Sequence, residues 1–222
     1  FVSAASKDNA KPEAAVVPPT YILKVASASV PIVIDGKLDD AWKNVSELTF
    51  ADNAGKVGCL PLASAAKVLF DKNNLYVLFL FEDPNVTFAY VNPDDVLWDS
   101  GDRLDLAEIL LQTSIETPEY YEFAVNPAGA LLDAQVKWKH SAPTWNLNWP
   151  SKHPETAAGK LNKSECGFDG WCVEIAIPFN LISFSPQKGT YLKANFYRAD
   201  ADIPCKWLSW SPTYTNSIQV PT

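Results

Sequence analysis

The sequence predicts an all-β protein, an antiparallel β-sandwich with one short helix. Three observations point there. Short runs of β-branched and aromatic residues recur from Tyr21 onward, broken by Gly, Pro, Asn and Asp, the punctuation of strands and turns. No stretch holds three or more helical turns of amphipathic period. With 222 residues, 47% of them hydrophobic, the chain is long enough for one large sandwich core.

The elements follow in order. Residues 1–20 are rich in Ala, Lys and Pro without apolar periodicity, and read as an extended N-terminal arm. Residues 21–222 read as one sandwich domain. Strands are expected at 21–25, 31–34, 65–70, 75–81, 104–111, 120–125, 131–136, 171–177, 191–197 and 206–210, with a hairpin turn at Asp71-Lys72-Asn73-Asn74. Residues 38–44 carry the one helical signal, with Asp39 as its N-cap. Residues 137–163, where Trp138, Trp145 and Trp149 sit among Lys, Pro and Asn, read as an irregular excursion, of the kind that is usually functional or strapped to the surface.

Composition narrows the function. A net charge of −8 argues against nucleic acid, whose phosphates demand a basic face. No apolar run reaches the ~20 residues that span a bilayer. GxSxG, HExxH, P-loop and dinucleotide-binding signatures are all missing, so the chain is expected not to be an enzyme. Arg103 and Arg198 are its only arginines. The opening Phe1-Val2-Ser3-Ala4-Ala5 has the small residues of a processed secretory signal. The four cysteines lack metal-site spacing and fit two disulfides in an oxidising compartment. Cys166 and Cys172 flank a turn-forming stretch and are expected to pair across a hairpin, leaving Cys59 to pair with Cys205. Acidic clusters at Asp94-Asp95, between Asp99 and Asp105, and at Asp200 with Asp202 offer oxygen ligands for calcium. His140 and His153 bracket Trp145, a pair able to hold copper.

Eight tryptophans are many for this length. Flat aromatic faces stack on the C–H faces of pyranose rings while acidic and amide groups bond the hydroxyls, so neutral carbohydrate is the ligand this composition suits. Trp42, Trp171 and one of Trp207 and Trp210 are expected in the core. Trp98, Trp145 and Trp149 lie near turn residues and are expected to be exposed.

Ile34-Asp35-Gly36-Lys37-Leu38-Asp39-Asp40-Ala41-Trp42 resembles the opening signature of family 9 carbohydrate-binding modules and their DOMON-like relatives. Later segments follow the family order: Lys67–Asp71 with Leu75-Tyr76-Val77, then Trp98 with Asp105 and Ala107–Leu111, then Tyr120–Asn126 with Gly129 and Asp133. Gly170-Trp171-Cys172-Val173-Glu174-Ile175-Ala176-Ile177-Pro178-Phe179, Asn195–Arg198 and Trp210-Ser211-Pro212-Thr213 complete the set.

The resemblance implies a jelly-roll sandwich of two antiparallel sheets, extracellular or at the cell surface and often calcium-stabilised, that binds a polysaccharide or oligosaccharide. A clamp tryptophan maps onto Trp98 and its hydrogen-bonding carboxylate onto Glu108; Arg198, Trp145 and Trp149 complete the expected ligand-binding set. The family's second clamp aromatic and closing strand have no counterpart in Ile218-Gln219-Val220-Pro221-Thr222. The N-terminal arm is therefore expected to pack on a neighbouring copy as the absent strand. The alternatives are a structural or filament-forming cell-surface subunit, or a DOMON-like domain binding copper or haem.

Overall fold

The computed structural model describes residues 23–56, 62–89, 92, 97, 105–114, 116–139, 142–149, 153–187, 189–200 and 202–215. Within them two sheets stack face to face. The first runs β1 (Ala26–Ser27), β4 (Ser64–Phe70), β5 (Asn74–Glu82), β11 (Gly170–Pro178), β10 (Glu155–Leu161), with β2 (Leu48–Thr49) also paired to β4. The second runs β3 (Ala51–Asp52), β13 (Trp207–Ser209), β12 (Lys193–Ala199), β6 (Leu106–Gln112), β7 (Glu119–Val125), β8 (Leu131–Lys139), β9 (Ala142–Asn146). These pairings are antiparallel except β1 with β4. Among the described residues no helix is long and apolar enough to cross a membrane.

Period-two alternation sets the core. Val77, Phe79 and Phe81 of β5 meet Ile109 of β6, Phe123 of β7 and Phe196 of β12 between the sheets. Edge-to-face rings tighten the contact: Phe79 and Phe196 have centroids 6.2 Å apart, Phe81 and Trp171 4.9 Å. The other face of β5 is apolar too. Tyr76, Leu78 and Leu80 pack with Trp42, Leu161 and Cys172, with Ile34 and Leu38 against them. A strand buried on both faces reads as a continuous apolar run, as Leu75–Phe81 does.

Glu174 of β11 fastens the segment that covers this outer face. Its Oε2 accepts the backbone N–H groups of Asp35 (3.0 Å) and Gly36 (2.9 Å), and its Oε1 accepts Trp42 Nε1 at 2.9 Å. Burial pushes its carboxyl above the ordinary range, against the pull of those three donors. Gly36 and Gly159 let the segment lie flat on β10, since a Cβ on Gly159 would fall 1.8 Å from the Gly36 carbonyl oxygen.

Several expectations need correction. Residues 31–34 form no strand; they lie as coil against the outer face. Residues 23–25 are also coil, and strand pairing begins at Ala26. The helix is one 3-10 turn, Asp40–Trp42, and the Asp39 side chain makes no capping bond. A second short helix, α1 (Lys163–Cys166), was not expected. Within 137–163 the described residues are largely strand: β8 runs to Lys139, and β9 and β10 follow. Pro143 is tolerated because β9 is an edge strand. The small residues Ala157, Ala158 and Gly159 hide β10 because they carry little β-propensity, and Gly159 is required bare by the approach of Gly36.

Cys166 and Cys172 do not pair; both are free thiols. Cys172 Sγ is directed at the Gly36 and Gly159 carbonyls and Cys166 Sγ at those of Phe168 and Asn162. Burial pushes the Cys172 thiol up to about 12. Cys205 is disulfide-bonded; its expected partner Cys59 lies outside the described residues, as do residues 1–20. Trp42 and Trp171 are core residues, as expected, and Trp207 and Trp210 are half-buried beside it.

Candidate functional site

The outer face of the seven-stranded sheet brings acidic and aromatic side chains together. Phe196, Ile109 and Phe123 point into the core, so alternation sends Asn195 and Tyr197 of β12, Glu108 of β6, Tyr120 and Glu122 of β7, and Val136 of β8 outward. One end of this face is apolar. There Leu97 packs on Leu106, Ala124, Leu132 and Ala199. The middle and far end are polar and aromatic.

Glu108 sits opposite Ala124, and Leu110 opposite Glu122. The two glutamates are thus diagonal neighbours on adjacent central strands, 3% and 0% exposed, close enough for the charge of one to act on the other. Burial holds Glu108 well above the ordinary carboxylate range, and the Glu122 charge pushes the same way. Trp145 of β9 pairs with Val136 and so shares this face. Its Nε1 reaches across β8 to donate to Glu122 Oε2 at 3.0 Å. Tyr197 Oη accepts from Asn195 Nδ2 at 2.7 Å, and Asn195 is itself pinned to the Ser211 backbone. Burial raises the Tyr120 and Tyr197 phenols, and the nearby glutamate charges raise them further. The arrangement gathers two buried carboxyls, a buried phenol, an amide and a half-buried indole on one face of the sheet.

The expected ligand-binding residues divide. Glu108 and Trp145 share this face. Trp98 lies outside the described residues, although its neighbour Leu97 is anchored on this face. Trp149 does not join them. It packs on the inner side, with ring centroids 4.8 Å from Tyr121 and 6.3 Å from Phe123, because residues 147–149 carry it around the sheet edge onto the core. Arg198 cannot reach a ligand. It is 0% exposed between the sheets, lies over the Phe81 ring, and donates to Ser64 Oγ (3.0 Å) and the Glu82 carbonyl (2.8 Å). Its register position beside inward Phe196 dictates this. His153 Nδ1 contacts Asp133 Oδ1 at 2.9 Å, while His140 lies outside the described residues. Glu122 carries no expectation from sequence; its signal was the alternation of Tyr120, Glu122 and Ala124 against inward Tyr121, Phe123 and Val125.

A second acidic group surrounds Arg198. Ligand oxygens of Asp83, Asp105 and Asp200, all buried, lie within 4.8 Å of one another. Arg198 pairs with Asp200 and with Asp83 (3.3 Å), and Trp171 Nε1 donates to Asp83 at 3.1 Å. Asp105 accepts from the Thr87 backbone and hydroxyl. Burial lowers the Arg198 pKa and raises that of Asp200, each against the attraction of the other. Asp83, in the Glu82-Asp83-Pro84-Asn85 turn, was not among the sequence candidates.

Comparison with known proteins bears on this geometry. The family model described as "Carbohydrate family 9 binding domain-like" matches residues 34–221. The chain is 32% identical over 170 residues to exoglucanase XynX of Acetivibrio thermocellus, covering 77% of this chain and 13% of that protein. It is 31% identical over 144 residues to endo-1,4-beta-xylanase A of Thermotoga maritima, covering 51% of this chain and 13% of that protein. It thus spans about an eighth of each curated relative. In fold it is similar to a carbohydrate-binding module family 9 from Caldicellulosiruptor kristjanssonii, solved in complex with cellotriose. The TM-score is 0.55 at 20% identity, covering 84% of this chain and 87% of that one.

Proposed function

Since the chain belongs to the carbohydrate family 9 binding domain-like family, we propose that it is an extracellular module that holds a neutral oligosaccharide without cleaving it. The ligand would lie on the outer face of the seven-stranded sheet. Trp145 and Trp98 would stack on its rings, Glu108 and Asn195 would take its hydroxyls, and Glu122, 0% exposed, would hold the Trp145 indole in place. The observation that carries this is the contact of Trp145 with Glu122 beside Glu108, an aromatic platform and a carboxyl pair fixed on one face. The relatives' names and the cellotriose complex support a β-linked glucan or xylan fragment as the ligand class.

Calcium fits the second acidic group. Asp83, Asp105 and Asp200 supply the hard oxygen donors it takes. Bound there, calcium would tie β5, β6 and β12 together at one end of the sandwich.

The test is Trp98→Ala, measured by calorimetric titration with cellotriose. The expected loss is at least tenfold in affinity, ~1.4 kcal/mol, with the melting temperature nearly unchanged. A large fall in stability would place Trp98 in the core and remove it from the site.

A further inference from the structure

We propose that Trp138 forms a further sugar subsite beside Trp145, so that the ligand of this face is a chain of several sugar units lying along β8 rather than a lone sugar or a disaccharide. The inference rests on the sugar-binding reading above and adds the length of the ligand. Alternation along β8 places Trp138 on the same side as Ala134 and Val136. Val136 pairs with Trp145 of β9, and Trp138 pairs with Pro143. The two tryptophans are therefore diagonal neighbours across one hairpin. Side chains so related stand about 7–8 Å apart, within reach of large rings. Both are half-buried.

The two indoles lie across the sheet in the same direction. Trp145 stands on β9, and its N–H donates to Glu122 Oε2 of β7 at 3.0 Å. The ring must therefore cross β8, over Ala134 and Val136, both 0% exposed. One side of it rests on the sheet and the other is turned away. Trp138 lies close enough to the Tyr120 phenol of β7 to act on its ionisation, and Tyr120 stands opposite Val136. Trp138 thus leans toward β7 as well, one step further along β8. The steps of β8 run from Leu132, in the row of Glu108 and Ala124, through Ala134 and Val136 beneath Trp145, to Trp138. This track is continuous with the face described above. A chain that rests one ring on Trp145 brings its next ring onto Trp138. Each sugar added to a chain already docked costs little further association entropy, so affinity grows with chain length as far as the track extends. A side chain that merely covered the end of the sheet would need bulk but no flat face.

The experiment is calorimetric titration of the intact chain with cellobiose and with cellohexaose, on the wild type and on Trp138→Leu, which keeps an apolar cover on the sheet and removes the flat face. The readout is the ratio of the two affinities. The wild type is expected to hold cellohexaose at least roughly tenfold more tightly than cellobiose. Trp138→Leu is expected to lose most of that ratio, whatever its affinity for cellobiose. Amide NMR of the wild type reads the contact without a substitution, and the Trp138 indole N–H should shift with cellohexaose. Equal affinity of the wild type for both, an undiminished ratio in Trp138→Leu, or a Trp138 indole unmoved by cellohexaose overturns the inference and leaves the sugar reading standing. Absence of binding by either oligosaccharide overturns the sugar reading itself, and this inference with it.

Discussion

The indole N–H of Trp145 donates to Glu122 Oε2 at 3.0 Å across the intervening strand β8. An edge-strand aromatic is thereby locked to a buried carboxyl of a central strand. The bond fixes the ring plane, so little rotamer freedom remains to be lost when a sugar stacks on it.

Trp145→Ala should therefore weaken cellotriose binding at least tenfold, about 1.4 kcal/mol, while the melting temperature moves by only a few degrees. Calorimetric titration and a thermal melt of the same sample check both. Unchanged affinity would remove Trp145 from the ligand's path.

Glu174→Ala removes the acceptor for three donors at once, the N–H groups of Asp35 and Gly36 and the indole of Trp42. Buried donors left without partners cost ~1–3 kcal/mol each, less when they relax together. A loss of about 3 kcal/mol is expected in urea unfolding, with faster amide exchange from residue 34 to 42. A loss below ~1 kcal/mol would mean the covering segment is held chiefly by its apolar contacts.

Arg198 is the counter-charge of Asp83 and Asp200 inside the sandwich. Arg198→Met should cost about 3–5 kcal/mol, the penalty for stranding buried carboxylates. Calcium should raise the wild-type melting temperature and a chelator lower it, and Asp105→Asn should blunt that response. A wild-type melt indifferent to both calcium and chelator would show that the guanidinium alone suffices.

Legibility in the sequence followed the side chains. Strands built from alternating large residues, such as Leu106–Gln112 and Glu119–Val125, were readable within a residue or two. β10 was not, because Gly159 is bare for the sake of backbone approach to Gly36 and stands beside two small alanines, and propensity is silent about such contacts. Residues 31–34 show the reverse error: β-branched residues lie as coil without a pairing strand, with Ile32 and Ile34 packed on the outer face. Glu108 reached the outer face because the motif around it fixed its register. Arg198 was expected at the ligand with the segment that resembles the family, whereas its strand parity, shared with inward Phe196, turns it between the sheets. Glu122 was hidden because its importance comes from Glu108 and Trp145, which only strand pairing brings beside it.

Sugar is proposed to bind the outer face of the seven-stranded sheet. Amide NMR of the labelled chain titrated with cellotriose tests it most directly. Shifts are expected to concentrate at Glu108, Tyr120, Glu122, Val136 and Trp145, with the Trp145 indole N–H among the largest. Shifts confined to the opposite side, around residues 35–43 and 159–168, or no shifts at all, would contradict it.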